Sequence, residues 1–139
     1  MIHSSTKVKI LTSPKTLNEI TKDVIDLVDQ SDVTDGLCNI FIKHTSASLT
    51  IQENADDSVL RDIESFLHRL VPEDLKLYEH ITEGPDDMPS HIRSLLTNSN
   101  LTIPICKSKL ELGVWQGIFL YEHRSKSHER EIIITFSGN

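Results

Sequence analysis

Residues 109–124 read K-L-E-L-G-V-W-Q-G-I-F-L-Y-E-H-R. They hold the only tryptophan, Trp115, and two of the five glycines, Gly113 and Gly117. Leu110, Leu112, Val114, Ile118, Phe119, Leu120 and Tyr121 surround them, a β-rich composition with turn punctuation. The pattern predicts a strand near 109–112, a tight turn or bulge at Gly113, and a long buried strand from about Val114 to Glu122 with Trp115 as core filling. Gln116 stands out as a neutral polar residue in an apolar run, so it needs a partner if buried. The strand ends on three ionisable groups in a row, Glu122, His123 and Arg124.

Working outward, Glu131 to Phe136 (E-I-I-I-T-F) reads as a closing strand. Leu101 to Cys106 is another, and its Pro104 asks for an edge or a bulge. Leu37 to Lys43 is a third, followed by H-T-S-A-S-L-T-I-Q-E-N, whose strand-like run ends at Glu53 and Asn54. Thr6 to Leu11 suggests an edge strand. Between strands, residues 15–30 carry Leu17, Ile20, Val24, Leu27 and Val28 at helical spacing, with Ser13-Pro14 before them and Thr16 and Glu19 spaced as a capping box. A second helix follows Asp56 or Asp57 as N-cap, presents Val59, Leu60, Ile63, Phe66, Leu67 and Leu70, and closes at Pro72. Residues 78–91 read as a long loop. Pro89 favours the first position of a short helix to Leu96, with His91 in its first turn. The fold class is α+β: one domain over 1–139, a mainly antiparallel and sandwich-like sheet, two main helices and a short third. Two helices leave sheet surface over, which sheet-on-sheet packing or oligomerisation would cover.

The chain has 139 residues, 37% hydrophobic and 25% charged, with a net charge of −7. That balance fits a soluble globular domain and argues against a nucleic-acid binder, which would carry a basic face. No apolar run approaches membrane-spanning length, and the first residues lack a basic region followed by an apolar core. Cys38 and Cys106 lie far apart in apolar runs. The expectation is a cytoplasmic protein with buried free thiols, with a single disulfide as the alternative.

Among seven histidines, His44, His80 and His91 lie in polar, loop-like contexts. Neutral imidazole is the commonest metal ligand, yet their spacing matches no recognised metal motif, and solvated loop histidines explain it equally. No phosphate-cradling glycine loop or nucleophile elbow is present.

Five segments together resemble the YjbQ family: H-T-S-A-S-L-T-I-Q-E-N (44–54), L-V-P-E-D (70–74), D-D-M-P-S-H-I-R-S (86–94), L-T-I-P-I (101–105) and L-G-V-W-Q-G-I-F-L-Y-E-H-R (112–124). The resemblance runs from about residue 6 to 138. Two departures stand out: Val114 replaces the family's usual threonine before the tryptophan, and a glycine common in the turn before Leu101 is missing from residues 96–99. The resemblance implies a compact α+β protein, commonly a homotrimer, with a site near subunit boundaries. It implies His44, His80 and His91 as ligands of a divalent metal, zinc above all, with Glu53 and Asn54 lining the same pocket and Asp87 acidic in the nearest branch. It also implies a secondary thiamine-phosphate synthase activity, joining a pyrimidine methyl diphosphate to a thiazole phosphate with loss of diphosphate. Glu53 or Asp87 is the candidate catalytic base; Asn54, Ser46, Gln116, Arg124 and Lys107 are candidates for substrate contact. The competing readings are metal-dependent hydrolysis of a small anionic substrate, or a non-catalytic oligomeric binding protein with a structural metal.

Overall fold

Ile132, Ile134 and Phe136 alternate with Glu131, Ile133 and Thr135 along β8 (Glu129–Gly138), and only the first set is buried. A two-residue period puts one face of a strand on the core. The computed structural model, which describes residues 1–139, pairs β8 antiparallel with β1 (Ile2–Leu11) on one side and β3 (Gly36–Ile42) on the other. β3 pairs in turn with β5 (Asn100–Cys106), and β5 with the two-residue β6 (Lys109–Leu110), completing a five-stranded sheet. β5 is covered on its outer side only by that stub, so Pro104 sits on what is effectively an edge.

A second, three-stranded sheet has β7 (Gln116–Glu122) at its centre, between β2 (Thr16–Glu19) and β4 (Ala47–Glu53), again antiparallel. The two sheets face each other. Ile118 and Leu120 of β7 join Ile40, Ile132 and Ile134 in the main core, which α1 (Thr21–Gln30) seals with Val24 and Val28. Phe119 and Tyr121 point the other way, with Leu17, against Leu60, Ile63 and Leu67 of α2 (Asp57–Leu70). β7 is therefore apolar on both faces, which is why its sequence is a continuous run and not an alternation. The layers run α2, small sheet, large sheet. A single 3₁₀ turn (Leu75–Leu77) and α3 (Asp87–Leu96) bridge back to β5. The sandwich-like α+β architecture is as expected.

Three local readings need correction. The first helix begins at Thr21; residues 16–19 are β2, with Leu17 opposite Tyr121. Thr16 and Glu19 form no capping box, since the Thr16 hydroxyl donates to the Pro14 carbonyl. Leu17 and Ile20 mimic helical spacing, but the edge of β7 needs a hydrogen-bonding partner and the segment supplies it. Trp115 is not core: it is 62% exposed, beside Val114, in the turn before β7. There Gln116 finds its partner by folding back, its Oε1 accepting the Gly113 N–H at 2.7 Å. Pro89 is the third residue of α3, after the Asp86 N-cap, where the first four helical N–H groups lack intrahelical partners anyway.

Candidate metal centre

A helix in a small domain normally buries an apolar stripe. α3 instead buries Asp87, Ser90 and Arg93, three positions apart on one face, with Pro89. Buried polar groups must find partners, and these partners build the site. Arg124, just past β7, spans the start of the helix. Its Nε donates to Asp86 Oδ2 at 2.8 Å, Nη1 to Asp87 Oδ1 at 2.7 Å and Nη2 to the Glu83 carbonyl at 3.0 Å. Burial alone would raise the Asp86 carboxyl, but the Arg124 and Ser125 hydrogen bonds outweigh it and bring it down to about 2. Asp87 is likewise held low against its burial, by His80 and by Arg124.

With Oδ1 on Arg124, Asp87 turns Oδ2 toward two imidazoles: His80 Nε2 at 2.7 Å and His91 Nε2 at 3.2 Å. The ligand atoms of the three residues all lie within 4.8 Å of one another. His91 Nδ1 donates to the Thr45 carbonyl at 3.0 Å. That bond places the neutral ring's proton on Nδ1 and leaves the Nε2 lone pair facing a carboxylate oxygen. A proton on Nε2, making the ring an imidazolium paired with Asp87, satisfies that contact, and so does a cation between the two atoms. A carbonyl holding the far nitrogen is also the usual outer support of a metal-binding histidine. Two imidazoles and one ionised carboxylate fit a zinc-type or iron-type divalent ion with open positions, and fit magnesium poorly. Asp87 is buried, whereas His80 and His91 remain partly exposed, so the cluster opens to solvent on its histidine side.

His44 does not join the trio. Its Nε2 accepts the Glu131 N–H at 2.8 Å, and burial, with Arg130 nearby, lowers its pKa and keeps it neutral. It does share a pocket of about 470 Å³ with His91, walled by Thr45, Met88, Ile92 and Leu95. Ser46 lies two residues on; its carbonyl accepts from the His123 amide.

The other predicted site residues lie elsewhere. Glu53 and Gln116 pair at the far end of β4, and the Asn54 side chain reaches Glu19 at 3.3 Å. β4 is seven residues long, so roughly 20 Å of strand, at about 3.3 Å per residue, separates this end from Ala47. Within one chain Glu53 and Asn54 therefore do not line the histidine pocket. Lys107 sits in the β5–β6 turn, its amide on Asp35, and lines no cavity. Arg124 is spent on the two aspartates and is not free for a phosphate.

Sequence reasoning did not single out Asp86, Arg93, Arg130 or Ser48. The signal for Arg93 was available: Asp87, Ser90 and Arg93 recur every third residue. Glu122 takes two hydrogen bonds from Arg130 and one at 2.7 Å from Thr12. His123 Nε2 meets Ser48 Oγ at 2.8 Å. Nothing local in the sequence announced these pairings, which join residues far apart in the chain.

The family model described as UPF0047 protein YjbQ-like matches residues 6–139. The chain belongs to the YjbQ-like UPF0047 family. The UPF0047 protein of Synechocystis sp. is 52% identical over 93% of this chain and 88% of its own. The YjbQ protein of Escherichia coli O157:H7 is 44% identical over 86% of each. The solved structure of a YjbQ/UPF0047 family protein from Clostridium acetobutylicum superposes with a TM-score of 0.87 at 35% identity, covering 95% of this chain and 99% of that one. The family relationship thus covers the trio, the histidine pocket and the β7 strand alike. No helix of this YjbQ-like chain is long and apolar enough to cross a membrane.

Proposed function

We propose that this YjbQ-like protein is a metal-dependent enzyme acting on a small phosphorylated substrate, with thiamine-phosphate-synthase-type transfer as the reaction. The observation that carries the reading is the convergence of His80 Nε2, His91 Nε2 and Asp87 Oδ2, with the outer nitrogen of His91 pinned to a carbonyl. These three residues would hold the ion, which would stabilise negative charge on a departing diphosphate. Arg124 is a positioning residue: it holds Asp87 ionised and aims Oδ2 at the histidines. His44 stands beside His91 in the adjoining pocket, whose Met88, Ile92 and Leu95 suit the flat face of a heterocycle.

Transfer is favoured over hydrolysis by what the local groups can do with a proton. Attack by a ring nitrogen uses its lone pair, forms a C–N bond and releases the C–O electrons with diphosphate, so no base is needed. Hydrolysis needs one. Asp87 is held low and has both oxygens engaged, and His44 Nε2 is occupied by the Glu131 amide. Glu53 is at the far end of β4. We further propose that the protein works as a homotrimer, in which a neighbouring copy covers the exposed Trp115 end of the small sheet.

Elemental analysis of protein purified without a histidine tag tests the reading. About one zinc-like ion per chain is expected, lost in His80→Ala and His91→Ala and retained in His44→Ala. Absence of metal after reconstitution, or its loss only with His44, overturns the assignment.

A further inference from the structure

A second polar pocket, of about 360 Å³, lies between α2, α3 and the end of β7, and none of its residues belongs to the metal trio. Lys15, Arg61, Glu64, His68, Arg93 and His123 contribute to its wall. Two of these are buried, Arg93 at 3% exposure and His123 at 1%. Each leaves a buried nitrogen without a partner, Arg93 Nε and His123 Nδ1. Buried polar atoms in native proteins are almost always satisfied, so two orphans at one cavity call for an explanation.

Thr97 Oγ1 lies 2.5 Å from Ser48 Oγ and 2.9 Å from the Arg93 carbonyl, and Ser48 Oγ lies 2.8 Å from His123 Nε2. Arg93 Nε is a donor, and His123 Nδ1 is a donor in the tautomer whose Nε2 accepts from Ser48. The charges agree. Glu122, also in the wall, is neutralised by Arg130, and Glu73 lies 2.7 Å from Lys15 Nζ. Arg93 Nη1 lies 3.7 Å from the same carboxylate, so Lys15 and Arg93 share Glu73, while Arg61 forms no ion pair and Glu64 is the one other acid in the wall. In a chain of net charge −7 this is a local reversal of sign. Guanidinium groups with further N–H donors match the several acceptor oxygens of a dianion better than a single carboxylate.

We propose that this pocket binds a phosphate group, as free phosphate or as the phosphoryl end of a small monoester, with Arg61, Arg93 and His123 Nδ1 as donors. Arg93 also holds the Val71 carbonyl at 2.8 Å, so its replacement threatens folding. Exposed Arg61 carries the test instead.

Histidine-side-chain NMR spectra of the intact protein, titrated with inorganic phosphate, read the site directly. The His123 ring resonances are expected to shift saturably while those of His80 and His91 stay still. Arg61→Ala should weaken binding at least about fivefold, and Arg61→Lys should recover part of the loss. A parallel titration with glycerol 3-phosphate separates the sources: tighter binding than phosphate marks a phosphorylated metabolite, equal or weaker binding the free anion. Shifts confined to His80 and His91, no saturable shift of His123 by about 20 mM phosphate, or an unchanged affinity in Arg61→Ala overturns the proposal. Because the metal assay reads different residues, either reading can fail without the other.

Discussion

Arg124 spends its guanidinium on Asp86, Asp87 and the Glu83 carbonyl, which makes it the residue on which the site's geometry hangs. Replacing it with alanine leaves two aspartates, each nearly buried, without their counter-charge. The expected loss is about 2–4 kcal/mol by urea denaturation, below the full figure for a buried pair because the arginine side chain is partly exposed. Arg124→Lys should recover less than half, since an ammonium does not span both carboxylates. Asp86 and His123 contribute to the acid sensitivity, alongside Asp87 and Glu122, which are also held low. Asp86 sits at about 2 against an ordinary 3.8, so the unfolded chain binds the proton first as pH falls. Its contribution is complete above about 4 and gone below about 2. His123 is lowered by burial, then by Arg93, to about 3 from an ordinary 6.5. The unfolded histidine again protonates first, so stability falls as pH drops from about 6.5 to about 3, by about 1.4 kcal/mol for each unit of separation. Melting temperatures of wild type and His123→Gln across that range check it; the variant should show the shallower decline.

The elements show where local pattern and tertiary demand part company. Asp57–Leu70 is a helix with Asp56 as its cap, and β3, β5 and β8 fall within a residue or two of where alternation placed them, β8 reaching two residues further at each end. These segments carry enough apolar periodicity to decide their own state. Thr16–Glu19 does not: four residues at ambiguous spacing become a strand because β7 offers a free edge. The β3–β8 pairing is closer than side chains allow at one point. Gly36 faces Gly138, and a Cβ on Gly36 would fall 2.0 Å from the Ser137 carbonyl oxygen. Gly36→Ala should force the strands apart and cost about 3 kcal/mol, or prevent soluble expression. Gly113→Ala, which would meet only the end of the Gln116 side chain at 3.2 Å, serves as the mild control in the same denaturation assay.

At the scale of the molecule, stability is unevenly distributed. The core between the sheets holds 17 buried residues, whereas α2 has none fully buried and leaves Phe66 and Leu70 exposed. Hydrogen exchange should therefore release α2 amides through local opening well before those of β3 and β8, which should exchange only on global unfolding. α2 also walls the proposed phosphate pocket, so phosphate should slow exchange in α2 selectively if that pocket binds it. The exposed Trp115 and Val114 adjoin the Glu53, Asn54 and Gln116 end of the small sheet. Mass measurement in solution by light scattering, expected to give three chains, tests whether a neighbouring copy covers that end.

By itself the sequence determined the fold class, most of the strands and the second helix, because apolar periodicity and capping act over a few residues. It marked the histidine-bearing segments, but by resemblance and not by spacing. Tertiary structure alone decided which histidines converge: α3 brings His91 and Asp87 to His80, while the Glu131 amide occupies His44. It alone exposed Trp115, moved Arg124 from phosphate contact to holding aspartates, and left Arg93 and His123 with unpartnered nitrogens at one cavity. Each depends on hydrogen bonds or packing between residues distant in the chain, settled by where whole strands and helices come to rest, and no local run of residues encodes them.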